Sequence, residues 1–152
     1  MQALPDRDEP LRTLVGGATA RIRRLDVAEA RAAVAGGTVL IDIRSAHDRD
    51  RDGIVPGSVH IPRTVLEWRL APDSAWRTLH LAPGSPVLVL CDHGYASALA
   101  AATLVELGYL DAGDVVGGFQ AWREAGLPIA RPNDHTLAPG ELPGMRGPEL
   151  GG

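Results

Sequence analysis

Two short apolar runs limit most what this chain can fold into. Val39-Leu40-Ile41-Asp42-Ile43 and Val87-Leu88-Val89-Leu90 are of strand length and carry almost no polar interruption. A strand with one wet face alternates apolar and polar residues, so an unbroken run is a strand covered on both faces, as in a parallel sheet. Helical signals lie between such runs. Arg21 to Leu25 suits a short strand, and Asp26-Val27-Ala28-Glu29 has the spacing of a capping box ahead of Ala-rich residues to Ala35. Gly36-Gly37 offers the left-handed stop. Val59 to Pro62 is a second short strand, and Thr64 to Leu70 and Ser74 to Leu81 are expected as short helices. Ser97 to about Leu107 is an Ala/Leu helix closed by Gly108, Asp114-Val115-Val116 is a strand, and Phe119 to Ala125 is a final helix before Gly126. Strands separated by helices predict right-handed crossovers and an α/β domain, a central parallel sheet flanked by helices on both faces.

The 152 residues suit one domain with tails. Residues 1–20, with Pro5, Pro10 and Gly16-Gly17, are expected as a loosely ordered lead-in to a domain at 21–130. Residues 131–152 hold four Pro and five Gly with little to bury, and are expected as a flexible tail. A net charge of −4 gives no electrostatic footprint for nucleic acid. No apolar run approaches the roughly 20 residues of a membrane helix, and residues 1–10 have no signal core, so a cytoplasmic address is expected. All 15 basic residues are Arg, a bias that suggests a GC-rich bacterial genome. The run Asp48-Arg49-Asp50-Arg51-Asp52 reads as a solvated face.

Cys91 is the single cysteine, which excludes disulfide scaffolds, and no thiolate or His cluster for a metal is visible. It closes the strongest strand, with a helix starting a few residues later. Ligands of open α/β sheets bind beyond the carboxyl ends of the strands. Loop N–H groups and a helix N-terminus there favour a thiolate or persulfide anion over a neutral thiol. A buried core cysteine is the alternative, and the strand-to-loop position argues against it.

The stretch CDHGYAS, residues 91–97, resembles the active-site loop of the rhodanese homology domain, Cys-x-x-Gly-x-Arg followed by Ser or Thr. Three further motifs support the resemblance in order. Asp42-Ile43-Arg44 is similar to the family's Asp-Val-Arg, GIVPGSVHIP at 53–62 to its Gly-His-Ile-Pro-Gly segment, and VVGGFQAWREAGLP at 115–128 to its closing Gly-Gly-x-x-x-Trp motif. The resemblance implies a single rhodanese-like domain and a sulfurtransferase with Cys91 as nucleophile, holding sulfane sulfur as a persulfide between donor and thiophilic acceptor. It implies that Asp92, His93, Gly94, Tyr95, Ala96 and Ser97 form the substrate-binding loop. It implies that Asp42 braces that loop, with Arg44 in an ion pair beside it. No cofactor or metal is implied. The partners would be a small-molecule sulfur donor and acceptor, or a sulfur-relay protein.

The chain departs from the family at Ala96, where many members have Arg, which disfavours a dianion such as thiosulfate and favours a thiol or protein persulfide. Ile54-Val55-Pro56 replaces the usual His-Ile-Pro. Arg63, Trp68 and Arg69 follow the Ile-Pro turn and are candidates for the site mouth. His93 reads as an exposed loop residue or a donor to sulfur, Tyr95 as loop scaffold, and Trp122 as core. A cysteine phosphatase needs Arg six residues after Cys, where this chain has Ser97, and His93 carries no protease signature. The remaining alternative is a weakly catalytic or non-catalytic module for protein interaction or sulfur sensing.

Overall fold

The computed structural model describes residues 9–82 and 84–132. It contains five strands, β1 (Arg23–Leu25), β2 (Val39–Asp42), β3 (Val59–His60), β4 (Val87–Leu90) and β5 (Ala112–Val115). Six α-helices accompany them: α1 (Glu9–Thr19), α2 (Val27–Ala35), α3 (Ala46–Asp52), α4 (Leu66–Leu70), α5 (Ala96–Glu106) and α6 (Gly118–Glu124). The strands form one parallel sheet in the order β1-β5-β4-β2-β3, so the two unbroken apolar runs lie side by side near its centre.

Successive strand residues face opposite sides. Ile41, Val87, Val89 and Cys91 join a core with Leu66, Leu70, Leu104 and Tyr109, beneath α4 and α5. Leu40, Leu88, Leu90 and Val115 join a second core with Ala30, Phe119 and Trp122, beneath α2 and α6. Both faces are therefore dry, which is why β2 and β4 carry no alternation. Asp26 caps α2 as its spacing predicts: the Glu29 N–H donates to Asp26 Oδ1 at 2.8 Å, and the Asp26 N–H donates to Glu29 Oε1 at 3.1 Å. Trp122 is core, its indole N–H donating to the Pro128 carbonyl at 2.8 Å.

Three local expectations are corrected. Part of the lead-in, Glu9–Thr19, is helix packed along α5, with Ala18 buried. Pro10 sits in the first turn, where a missing N–H costs nothing, and docking outweighs the roughly 1 kcal/mol each that Gly16 and Gly17 cost in a helix interior. Residues 74–81 are irregular rather than helical. There the Ser74 hydroxyl donates to the Trp68 carbonyl at 2.7 Å and accepts the Trp76 N–H at 3.1 Å, and the Thr78 N–H donates to the Arg69 carbonyl at 3.1 Å. These local bonds replace a helical ladder. The 48–52 run is not a uniformly solvated face: it lies on α3, whose period turns Arg49 and Asp52 inward and leaves Asp50 and Arg51 exposed. An antiparallel bridge between Ile54 and Ala130 ties the end of the 21–130 span to the body. The expected tail lies, from residue 133 on, outside the described residues. No helix among the described residues is long and apolar enough to cross a membrane.

Candidate active site

Cys91 follows β4 and opens the five-residue turn, 91–95, that enters α5. Its side chain is recessed, with the residue 7% exposed. Three groups of its own loop surround the sulfur. The Gly94 N–H donates to Sγ at 3.1 Å and the Ser97 N–H at 3.3 Å, while the thiol donates to Ser97 Oγ at 3.2 Å. The two backbone donors are unpaired by any helical bond, because they belong to the loop and the first turn of α5. They supply the direct contacts that a sulfur anion needs.

The loop's path depends on close backbone approach from below. Gly94 has φ +91°, and a Cβ there would lie 2.8 Å from the Gly117 nitrogen. Gly118 has φ +63°, and a Cβ there would lie 2.6 Å from the carbonyl oxygens of Cys91 and Asp92. Only glycine fits either position. The closeness lets the first turn of α6 hold the loop: Phe119 N–H donates to the Cys91 carbonyl at 2.8 Å and Gln120 N–H to the Asp92 carbonyl at 3.1 Å. The Gln120 side chain donates to Asp92 Oδ1 at 2.8 Å and to Asp52 Oδ2 at 3.3 Å. Asp92 thus faces α3 and α6, and His93, at 3.2 Å from Asp92 Oδ2, is largely in solvent. Ala96 presents an exposed methyl at the start of α5. Tyr95 precedes it, half-buried, with Oη enclosed and without a hydrogen-bond partner among the described residues.

The expected brace is placed differently. Asp42 and Arg44 do form a buried pair, with Arg44 Nη2 at 2.9 Å from Asp42 Oδ2 and Nε at 3.1 Å from Oδ1. Asp42 also takes the Arg44 N–H at 3.0 Å and faces Arg49 at 3.4 Å. Arg44 in turn donates to the Gly53 carbonyl at 2.8 Å and lies 3.9 Å above the Phe119 ring. These contacts tie β2 to α3 and α6, not to the Cys91 loop. Burial outweighs the attraction of Asp42 at Arg49 and pulls that guanidinium below its ordinary value.

The bond to the loop comes instead from β1: Arg24 Nη2 donates to the Gly94 carbonyl at 3.0 Å. Arg24 also grips the wholly buried Asp114 of β5 through Nε at 2.9 Å and Nη2 at 3.0 Å. That bond raises Arg24 above its ordinary value, and the Cys91 charge adds to the rise. Asp114 Oδ2 accepts the Ser97 hydroxyl at 2.8 Å. Sequence reasoning missed Arg24 and Asp114. The available signal was an Asp inside an apolar buried strand, which must have a partner.

Among the residues expected at the mouth, Arg63 pairs with Glu67 at 2.7 Å and Trp68 is exposed. Arg69 is corrected to a structural side chain: it is 6% exposed, and its guanidinium donates to the Trp76 carbonyl at 3.3 Å. The chain 69–76 folds back over it, which takes its charge out of solvent.

A parallel sheet whose central strand delivers a cysteine into a glycine-dependent ring of N–H donors defines a class of cysteine-loop domains. Within that class, the family model of the Rhodanese-like domain matches residues 26–125, and the chain belongs to that family. The chain is 34% identical over 101 residues to the thiosulfate sulfurtransferase GlpE of Pseudomonas savastanoi pv. phaseolicola, covering 66% of this chain and 87% of that protein. It is 38% identical over 84 residues to the adenylyltransferase and sulfurtransferase MOCS3-2 of Zea mays, covering 55% of this chain but only 17% of the maize protein. A solved protein of unknown function from Rhodopseudomonas palustris, described as a possible tyrosine phosphatase, superposes with a TM-score of 0.71 at 32% identity. That match covers 86% of this chain and 99% of the other. The polysulfide-sulfur transferase of Wolinella succinogenes superposes with a TM-score of 0.68 at 29% identity, covering 86% and 93%.

Proposed function

We propose that this chain is a sulfurtransferase that carries sulfane sulfur as a persulfide on Cys91. The observation that carries the reading is the convergence of the Gly94 and Ser97 N–H groups on Sγ at 3.1 and 3.3 Å. In the first half-reaction the Cys91 thiolate attacks the donor's outer sulfur. The new S–S bond forms on Cys91 as the donor's bond to that sulfur breaks, its electron pair leaving with the donor. In the second, an anionic acceptor attacks the terminal sulfur and Cys91 leaves as a thiolate. The loop N–H groups meet the sulfur anion in both halves, so the site is organised before charge develops.

The donor we propose is a thiol persulfide or a protein persulfide rather than thiosulfate. Ala96 offers a methyl and Asp92 a carboxylate, and Arg69 is committed to Trp76, so the loop lacks a clamp for a dianion. A missing charge-assisted contact costs about 1.5–3 kcal/mol, tenfold or more in capture. A phosphatase is disfavoured because the sixth residue after Cys91 is Ser97, buried and bonded to a carboxylate.

Intact mass measured after incubation with thiosulfate and, separately, glutathione persulfide tests the reading. A one-sulfur adduct on the wild type, absent from Cys91→Ser and formed faster by the persulfide, is expected. Thiosulfate outperforming the persulfide overturns the donor assignment. No adduct from either donor favours the second reading that Ala96 supports, a protein-interaction or sulfur-sensing module.

A further inference from the structure

Behind Cys91 a chain of polar side chains crosses the sheet. Arg24 and Asp114 are direct cross-strand partners on β1 and β5 and form a two-pronged ion pair at 2.9 and 3.0 Å. Asp114 Oδ2 accepts the Ser97 hydroxyl at 2.8 Å, and Ser97 Oγ lies 3.2 Å from Cys91 Sγ. Arg24 closes the circuit at the Gly94 carbonyl, 3.0 Å away, on the same residue whose N–H donates to Sγ.

A serine hydroxyl has a single proton to donate. While Cys91 is a thiol there is no conflict: S–H points to Ser97 Oγ, and the Ser97 proton points to Asp114. Once the sulfur is an anion, sulfur and carboxylate compete for that proton. Two charges decide the outcome, the carboxylate of Asp114 and the guanidinium that offsets it.

We propose that Arg24 and Asp114 are positioning residues that set the reactivity of Cys91 with opposite sign. Asp114 holds the Ser97 proton away from the sulfur. Arg24 offsets the buried carboxylate and fixes the Gly94 carbonyl so that the Gly94 N–H stays on Sγ. The proposal rests on the reading of Cys91 as the reactive nucleophile. Removing the carboxylate alone leaves a cation near the sulfur and frees a hydroxyl donor, which favours the anion. Removing the guanidinium alone leaves an uncompensated carboxylate, which disfavours it. A pair that merely held the strands together would shift both variants in one direction.

The other charged and titratable groups around the sulfur are Asp92, His93 and Tyr95 of its own loop. Asp42, Arg44 and Arg49 lie on the β2 and α3 side. All of them are unchanged in the variants and drop out of the comparison.

The test is the rate of Cys91 alkylation by iodoacetamide as a function of pH, read by intact mass. Asp114→Asn is expected to move the midpoint of the profile down by about one pH unit, and Arg24→Gln up by about as much. The doubly substituted chain is expected near the wild type. Arg24→Lys, which keeps the charge and loses the fork, is expected closer to the wild type than Arg24→Gln. Shifts in the same direction, or no shift in either variant, overturn the proposal. Arg24→Gln strands a buried carboxylate and is the variant at risk of unfolding. Asp114→Asn strands no buried carboxylate, and Arg24, already 20% exposed, stays tied to the Gly94 carbonyl, so this variant decides alone if necessary. A midpoint that stays or rises in Asp114→Asn overturns the proposal. Alkylation needs no sulfur donor, so opposed shifts in a chain that accepts sulfur from no donor overturn the sulfurtransferase reading and leave this one standing. Adduct formation with unmoved midpoints does the reverse.

Discussion

Gly94 and Gly117 meet backbone to backbone: the place where a Gly94 Cβ would stand is 2.8 Å from the Gly117 nitrogen. The contact joins the Cys91 loop to the turn before α6, so the sulfur's surroundings depend on two glycines 23 positions apart in sequence. Gly94→Ala adds a steric clash to a left-handed backbone. We expect a loss of about 1–3 kcal/mol, checked by urea unfolding, with Cys91 alkylation altered in parallel because the Gly94 N–H moves off Sγ. An unchanged unfolding midpoint would refute the contact.

Arg69 and Arg63 are expected to behave differently from each other. Arg69→Ala removes a buried side chain bonded to the Trp76 carbonyl and should cost about 1–3 kcal/mol in stability while leaving donor KM unchanged. Arg63→Ala should leave stability within about 0.5 kcal/mol, since its pair with Glu67 is on the surface. Steady-state kinetics beside thermal unfolding separate the two. A donor KM that rises in Arg69→Ala would return that residue to the site.

The Asp42–Arg44 pair is buried on both sides, and Arg44 also holds the Gly53 carbonyl. Arg44→Met leaves a buried carboxylate whose remaining cation is Arg49 at 3.4 Å, and should destabilise the fold by about 3–5 kcal/mol. Replacing both partners, Asp42→Asn with Arg44→Met, should cost less than Arg44→Met alone. Denaturant titration of the wild type and the two variants tests the order, and a double variant weaker than the single one would contradict it.

Asp52 gives a pH prediction. Its carboxylate is lowered from an ordinary value of 3.8 to about 2, first by the hydrogen bonds from Arg51, with smaller contributions from Gln120 and Arg123. A carboxylate lowered by folding stabilises the native state fully above its unfolded value and loses that contribution as pH falls through its folded value. The Asp52 contribution should therefore be intact above about pH 4 and fade toward pH 2. Carboxyl NMR titration should place the Asp52 midpoint near 2, rising toward 3.8 in Arg51→Ala. An unmoved midpoint in that variant would assign the effect to other partners.

The central sheet was legible because β2 and β4 need no alternation when both faces are dry, and because the capping box at Asp26 marks α2 locally. Cys91 was legible because its position follows from the strand that precedes it. Local pattern could not deliver α1, whose Gly16-Gly17 pair lowers helix propensity and whose stability comes from docking on α5 across some 80 residues of chain. Nor could it deliver Arg24 and Asp114. Their partnership exists only once β1 is registered on β5, and nothing in Arg23-Arg24-Leu25 says which of the two arginines turns toward the carboxylate. Asp42 was expected as the loop's brace because Asp42-Ile43-Arg44 resembles the family's Asp-Val-Arg, but its carboxylate is held by Arg44 and faces Arg49. The charged run at 48–52 was misleading because composition reports how many charges a helix has, and the 3.6-residue period decides which of them turn inward.

Cys91 is 7% exposed, and under the proposed persulfide chemistry that recess would make the empty and the loaded protein present different atoms to their surroundings. A disulfide-type bond adds about 2 Å of reach, so in the loaded form the outermost sulfur is the cargo rather than the protein's own. Bulky oxidants and thiols then meet the cargo first, while the cysteine beneath stays screened by the wall that holds it. On the proposed chemistry the depth of the side chain would work as a rectifier, protecting the carrier between cycles and offering the passenger for collection.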